Sequence, residues 1–357
     1  MAGASTIEWT DATWNPVRGC SRVSPGCGGP NHEGGCYAEK IAARFSDPGQ
    51  TFHGFAERTP HGGRWTGKLA LIDKMLTVPL HWKKPRRIFV NSMSDLFHEN
   101  LPDEAIDKVF AVMALCPQHT FQVLTKRAER MLAYFADLDR ADMLPKRVAD
   151  PAIRLLRSND PRYLSWKYPA WPLPNVWLGV STERQQEADE RIPLLLQTPA
   201  AVRFISAEPL LGPIDLTAVK SLNVIDRSLF SSFEATRIAP LDWVIVGGES
   251  GPNARPMHPQ WARDIEAQCR AAGVPFFFKQ WGAWAPGDWD DDGDCMFFTP
   301  LDPGIKVPDL SHHKRWKDRI HFFVDTPQGL GALALGKKSA GRLLDGKEHN
   351  GFPQVRT

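Results

Sequence analysis

The sequence lacks any stretch approaching the roughly 18 apolar residues that a membrane-spanning helix needs. Its opening, Met1-Ala2-Gly3-Ala4-Ser5-Thr6-Ile7-Glu8-Trp9, lacks the basic-then-apolar order of a secretory signal. It has no excess of charge of either sign: 43 Lys and Arg against 41 Asp and Glu leave +2, which selects neither nucleic acid nor an acidic surface as partner. Six cysteines in 357 residues are too few for a disulfide scaffold. These absences predict a soluble, cytoplasmic protein. What is present, 42% hydrophobic and 24% charged residues, is enough for a sizeable core.

Short apolar runs rich in β-branched and aromatic residues alternate with longer helical segments. The runs cover residues 88–92, 121–125, 176–181, 202–206, 243–247 and 275–279, and read as strands buried on both faces. Helices are expected over 103–115, 127–136, 183–197 and 259–272, the last opening on a proline. Strand and helix repeated in one order predict an α/β fold, a partial or closed (β/α) barrel of six to seven parallel strands. Barrel and N-terminal loop occupy residues 1–282, interrupted by insertions at about 138–175 and 215–241. Residues 283–357 form an irregular C-terminal extension packed on the barrel, whose Gly336–Arg342 stretch lacks phosphate-loop spacing and reads as a basic surface segment.

In parallel α/β folds ligands gather at the carboxyl ends of the strands. Here nearly every end is polar: Ser94-Asp95, Lys126-Arg127, Ser181-Thr182-Glu183, Ser206-Ala207-Glu208, Gly248-Glu249-Ser250 and Lys279-Gln280. Each alone reads as a helix cap or solvated turn; a ring of them on one end of a sheet predicts a polar pocket.

Cys20, Cys27 and Cys36 crowd into a Gly- and Pro-rich loop that ends at a helix start. Cys116 and Cys269 fall in helical patterns and read as small core residues, and Cys295 falls in an acidic loop. Three readings compete for the crowded set. Three thiolates hold an iron–sulfur cluster and leave one iron open; or His32 completes a Cys3His zinc site; or the thiols bind nothing. A barrel behind the loop favours the first. The rival class is a zinc-stabilised nucleic-acid-binding protein without catalysis. It would draw on the basic run Trp82–Arg87, residues 154–168 and some of the 13 tryptophans as stacking platforms, the others being core packing.

Further segments carry a resemblance. Glu8-Trp9-Thr10-Asp11-Ala12-Thr13-Trp14-Asn15-Pro16, the Gly-Cys, Ser-Pro-Gly-Cys and Cys-Tyr-Ala-Glu steps, Phe89–Phe97, Gly179-Val180-Ser181, Ser206–Leu210, Val246–Gly251 and Gly341–Gly346 span nearly the whole chain. The chain resembles an uncharacterised, phage-associated three-cysteine-motif family related to the radical SAM superfamily. That resemblance implies a radical-SAM-like barrel in a bacterial or phage-infected cytoplasm. It implies a [4Fe–4S] cluster on Cys20, Cys27 and Cys36, and S-adenosyl-L-methionine as the source of a 5′-deoxyadenosyl radical. The substrate is unknown, with DNA or RNA among the candidates, and an electron donor such as flavodoxin or ferredoxin is required. Tyr37 would lie near the adenine and Ser94 and Asp95 near the methionyl group. Ser181, Glu208 and Glu249 are candidates for the ribose or substrate. The cysteine gaps here are six and eight residues, whereas the family more often shows six and two, so 28–35 reads as an insertion.

Overall fold

The computed structural model describes residues 2–29, 34–138, 143–155, 170–220, 222–226, 240–289, 295–297, 320–322 and 330–354. One sheet holds eight strands in chain order: β1 (Ala2–Ala4), β2 (Ala12–Trp14), β3 (Arg87–Val90), β4 (Thr120–Thr125), β5 (Val176–Ser181), β6 (Val202–Ala207), β7 (Trp243–Gly247) and β8 (Phe276–Gln280). β1 is antiparallel to β2, and every later pair is parallel. Unreversed strand order with right-handed crossovers puts the connecting helices on one face, the arrangement that curls a sheet into a barrel. Among the described residues β8 pairs with neither β1 nor β2, so the barrel is a half-barrel of seven parallel strands.

All six apolar runs are strands. The strands of this sheet not anticipated are β1 and β2, each only three residues long. Apart from two four-residue helices, the α-helices among the described residues are α1 (Tyr37–Arg44), α2 (Asp103–Ala114), α3 (Ala128–Leu138), α4 (Met143–Leu155), α5 (Gln185–Gln197) and α6 (Pro259–Ala272). α6 starts where the His258 side chain accepts the Gln260 N–H and stops at Gly273, whose φ of 65° suits glycine. α4 falls within the first insertion and is fastened to α2 by Arg147, which pairs with Asp103 at 3.0 Å and Asp107 at 3.1 Å.

The strands alternate as their period of two requires. Val176, Leu178 and Val180 of β5 join the large core under the helices, while Trp177 faces the barrel interior with Phe204, Trp243, Ile245 and Phe277. Trp9 and Phe352 complete this aromatic floor; Phe352 lies 5.1 Å from the Trp243 ring. Several of the tryptophans are used in such packing. Trp9, Trp14, Trp243 and Trp281 are fully buried, and the last three use their indole N–H to staple distant segments, on Met75, Gly351 and Leu343 carbonyls.

Two expectations about the tail need correction. It is not irregular throughout: β9 (Trp284–Trp289), β10 (Cys295–Phe297), β11 (Ile320–Phe322) and β12 (Leu330–Ala334) form an antiparallel sheet in the order β10-β9-β12-β11. Cys295 therefore opens a strand; the acidic residues 290–294 before it lie outside the described residues, as do most of 154–168. Beyond this sheet the chain returns to β8, where Phe278 N–H donates to His349 O and Gly351 N–H to Phe276 O. Among the described residues no helix is long and apolar enough to cross a membrane.

Candidate functional site

The cysteine loop follows β2 and crosses the carboxyl ends of the parallel strands. Its first limb lies along the residues after β3: Met93 N–H donates to Asn15 Oδ1 at 2.9 Å and Ser94 Oγ to Val17 O at 3.0 Å. Gly19 and Ser94 form a bridge pair. Gly19 has φ +90°, and a Cβ there would fall 1.8 Å from Lys68 O, so only glycine fits.

From there three buried carboxylates, each at the end of a different strand, fasten the loop beside each cysteine in turn. After β3, Asp95 accepts from Thr125 Oγ1 at 2.7 Å, Phe97 N–H at 3.0 Å, Lys126 N–H at 3.2 Å and Arg127 Nη1 at 3.0 Å. Arg127 then reaches the loop, donating through Nη2 to Ser21 Oγ at 2.8 Å and Ser21 O at 3.1 Å. After β5, the fully buried Glu183 pairs with Lys126 and with Arg191 at 3.0 Å, and accepts from Ser24 Oγ at 2.8 Å. After β7, Glu249 is gripped by Arg255 at 2.8 Å and accepts Gly35 N–H at 3.0 Å, while Arg255 also donates to Pro25 O at 2.9 Å. Within the loop Arg22 forks onto the buried Glu39 of α1, at 3.0 and 2.6 Å.

Cys20, Cys27 and Cys36 lie within electrostatic reach of one another. Burial raises Cys20 to about 12, with Asp95 adding to the rise and Arg127 opposing it. Burial also raises Cys36 to about 11, Cys27 adding to it. Thiols so held must lose protons to whatever they ligate.

The eight-residue gap is closed at its neck. Cys36 N–H donates to Cys27 O at 3.3 Å, and a Cβ on Gly28 would lie 3.4 Å from Gly35 Cα. The two ends of the gap therefore meet, and at its far end Gly34 N–H donates to Asn253 O in the loop after β7. If the three cysteines bind metal, excision of residues 29–34, which restores a two-residue gap, is expected to leave the amount bound unchanged. A loss of metal would show that the excised segment itself supplies a ligand.

His32 lies outside the described residues. Among the described residues no group of three His, Cys, Asp or Glu side chains is gathered as the ligands of one ion would be.

Above the floor, toward the carboxyl ends of the strands, stands a further set of polar groups. Tyr37, 47% exposed, donates its hydroxyl to Ser92 O, and its pKa is raised by burial and then by Cys36 and Glu208. Glu208 pairs with Lys279 at 2.6 Å, both side chains part-buried. Ser181 and Ser206 are register partners on β5 and β6, one rung above the aromatic layer. Of the residues singled out from sequence, Tyr37, Ser181 and Glu208 belong to this set. Ser94, Asp95 and Glu249 instead have their polar atoms engaged in holding the loop. Lys126, Arg127, Glu183, Arg255 and Lys279 were not given roles, although four of them stand in the polar strand-end steps. The basic run 82–87 leads into the opposite, amino end of β3, where Arg86 stacks on Trp82 and Arg87 pairs with Asp11.

A family described as "Protein of unknown function (DUF5131)" matches residues 4–353. No curated protein and no solved structure matches the chain. With all but a few terminal residues aligned to it, the chain belongs to that family of unknown function.

Proposed function

We propose that the chain is an iron–sulfur enzyme of radical SAM type, with Cys20, Cys27 and Cys36 as cluster ligands. One observation carries the reading. A single loop brings three thiols over the polar end of a parallel half-barrel, and a buried carboxylate from a different strand fixes the chain next to each of them. The donor set fits the group: three sulfurs, with Ser21, Ser24 and Gly35 of the loop bonded to the protein. A [4Fe–4S] cluster bound there would supply the electron that splits S-adenosylmethionine into methionine and a 5′-deoxyadenosyl radical.

The chain's own residues do the rest. Asp95, Glu183 and Glu249 hold the loop. Tyr37, Ser181 and Glu208 serve as contacts for the nucleoside or the substrate. The aromatic floor closes the interior at the amino end, which keeps water from a reactive radical on that side. The basic run leads into the amino end of β3, away from the cysteine loop, which weakens nucleic acid as the substrate held by that run.

The test is anaerobic reconstitution with iron and sulfide, then dithionite and S-adenosylmethionine. We expect brown protein and 5′-deoxyadenosine, both lost in Cys20→Ala. A colourless wild-type protein that retains zinc through the same treatment would sink the reading.

A further inference from the structure

We infer that Arg127 is a positioning residue that orients the Cys20 limb of the loop and, through its charge beside the Cys20 sulfur, sets the reduction potential of the cluster. The inference rests on the cluster reading above and adds a residue that the cysteine pattern does not contain.

Arg127 follows β4, and its own N–H donates to Thr125 Oγ1 at 2.9 Å. Its side chain is 7% exposed and nearly every nitrogen is aimed. Nε meets Glu99 at 2.5 Å, Nη1 meets Asp95 at 3.0 Å and lies 4.0 Å from Cys20 Sγ, and Nη2 takes both oxygens of Ser21. A planar fork can serve an acid, a thiol and a backbone carbonyl together; an ammonium cannot. A buried cation at a ligand sulfur is poorly screened by salt and favours the more negative, reduced cluster. Two acids oppose it unequally: Asp95 is buried, whereas Glu99 is 57% exposed and removable without opening the core.

The experiment is a dithionite titration of the reconstituted cluster, followed by electron paramagnetic resonance, in wild type, Arg127→Gln, Arg127→Lys and Glu99→Gln. Arg127→Gln should lower the midpoint by about a tenfold change in the reduced-to-oxidised ratio, ~59 mV for one electron. Glu99→Gln should move it in the opposite direction. Arg127→Lys, which keeps the charge and loses the fork, should hold the midpoint near wild type while binding less iron. If Arg127→Gln fails to load, the Glu99→Gln shift decides. A Glu99→Gln midpoint equal to wild type, or shifts of the same sign in Glu99→Gln and Arg127→Gln, would overturn the inference. Wild-type protein that takes up no cluster would instead overturn the reading beneath it.

Discussion

Glu183→Gln is expected to lose about 3–5 kcal/mol of stability, the range for breaking a buried ion pair on one side. The carboxylate is fully buried and serves three partners at once: Lys126, Arg191 and Ser24. A glutamine of the same shape offers one acceptor and turns its amide N–H2 toward a cation. Two buried positive charges then lack a counter-charge, and the Ser24 contact that fixes the loop near Cys27 loosens with them. The same arrangement predicts a pH dependence. Burial alone would raise the Glu183 pKa, but Lys126 and Arg191 outweigh it and hold it at about 2, below the ordinary 4.5. A depressed native pKa contributes stability that is fully present above the ordinary value and lost as pH falls toward 2. Urea unfolding of both proteins between pH 7 and pH 2 should therefore show a difference that is largest near neutrality and shrinks below about pH 4.5. A gap that stays constant across that window would contradict the assignment.

The half-barrel was legible because its strands are short, apolar and spaced by amphipathic helices, a pattern that buried parallel sheets impose. β2 was hidden for a physical reason. With three residues between Asp11 and Asn15, it has no periodicity of its own and is defined by its pairing with β3. α4 was hidden by composition, since Pro151 stands inside it and its surroundings read as a loop. At the site, the polar strand ends announced a pocket, but not which acids face it. Asp95 and Glu249 look as free in sequence as Glu208 does. The difference lies in partners brought by folding: Arg127 arrives from the next strand, and Gly35 from a loop more than two hundred residues away along the chain. Sequence likewise shows an eight-residue gap between Cys27 and Cys36 and gives no sign that its two ends touch.

Glycines that a carboxylate presses against are a signal that sequence does contain, and Gly26 gives the second large expected effect. A Cβ at Gly26 would lie 2.1 Å from Glu183 Oε1 and 2.6 Å from its Cγ, closer than non-bonded atoms approach. Glu183 cannot swing aside, because Lys126, Arg191 and Ser24 hold it. In Gly26→Ala the loop must lift instead, and its short turn, closed by Cys27 N–H to Ser24 O at 2.8 Å and Gly28 N–H to Pro25 O at 3.0 Å, lifts as a unit. Cys27 sits inside that turn. The variant should therefore lose about 1–3 kcal/mol, as overpacked sites do, and also bind less iron than wild type after the same reconstitution. The paired readout separates two outcomes that stability alone would merge. Lower stability with full iron would mean that the loop re-seats with Cys27 in place, whereas lower iron ties the thiol's position to the Gly26–Glu183 contact. An alanine variant equal to wild type in both would mean that the loop does not rest on Glu183 at all.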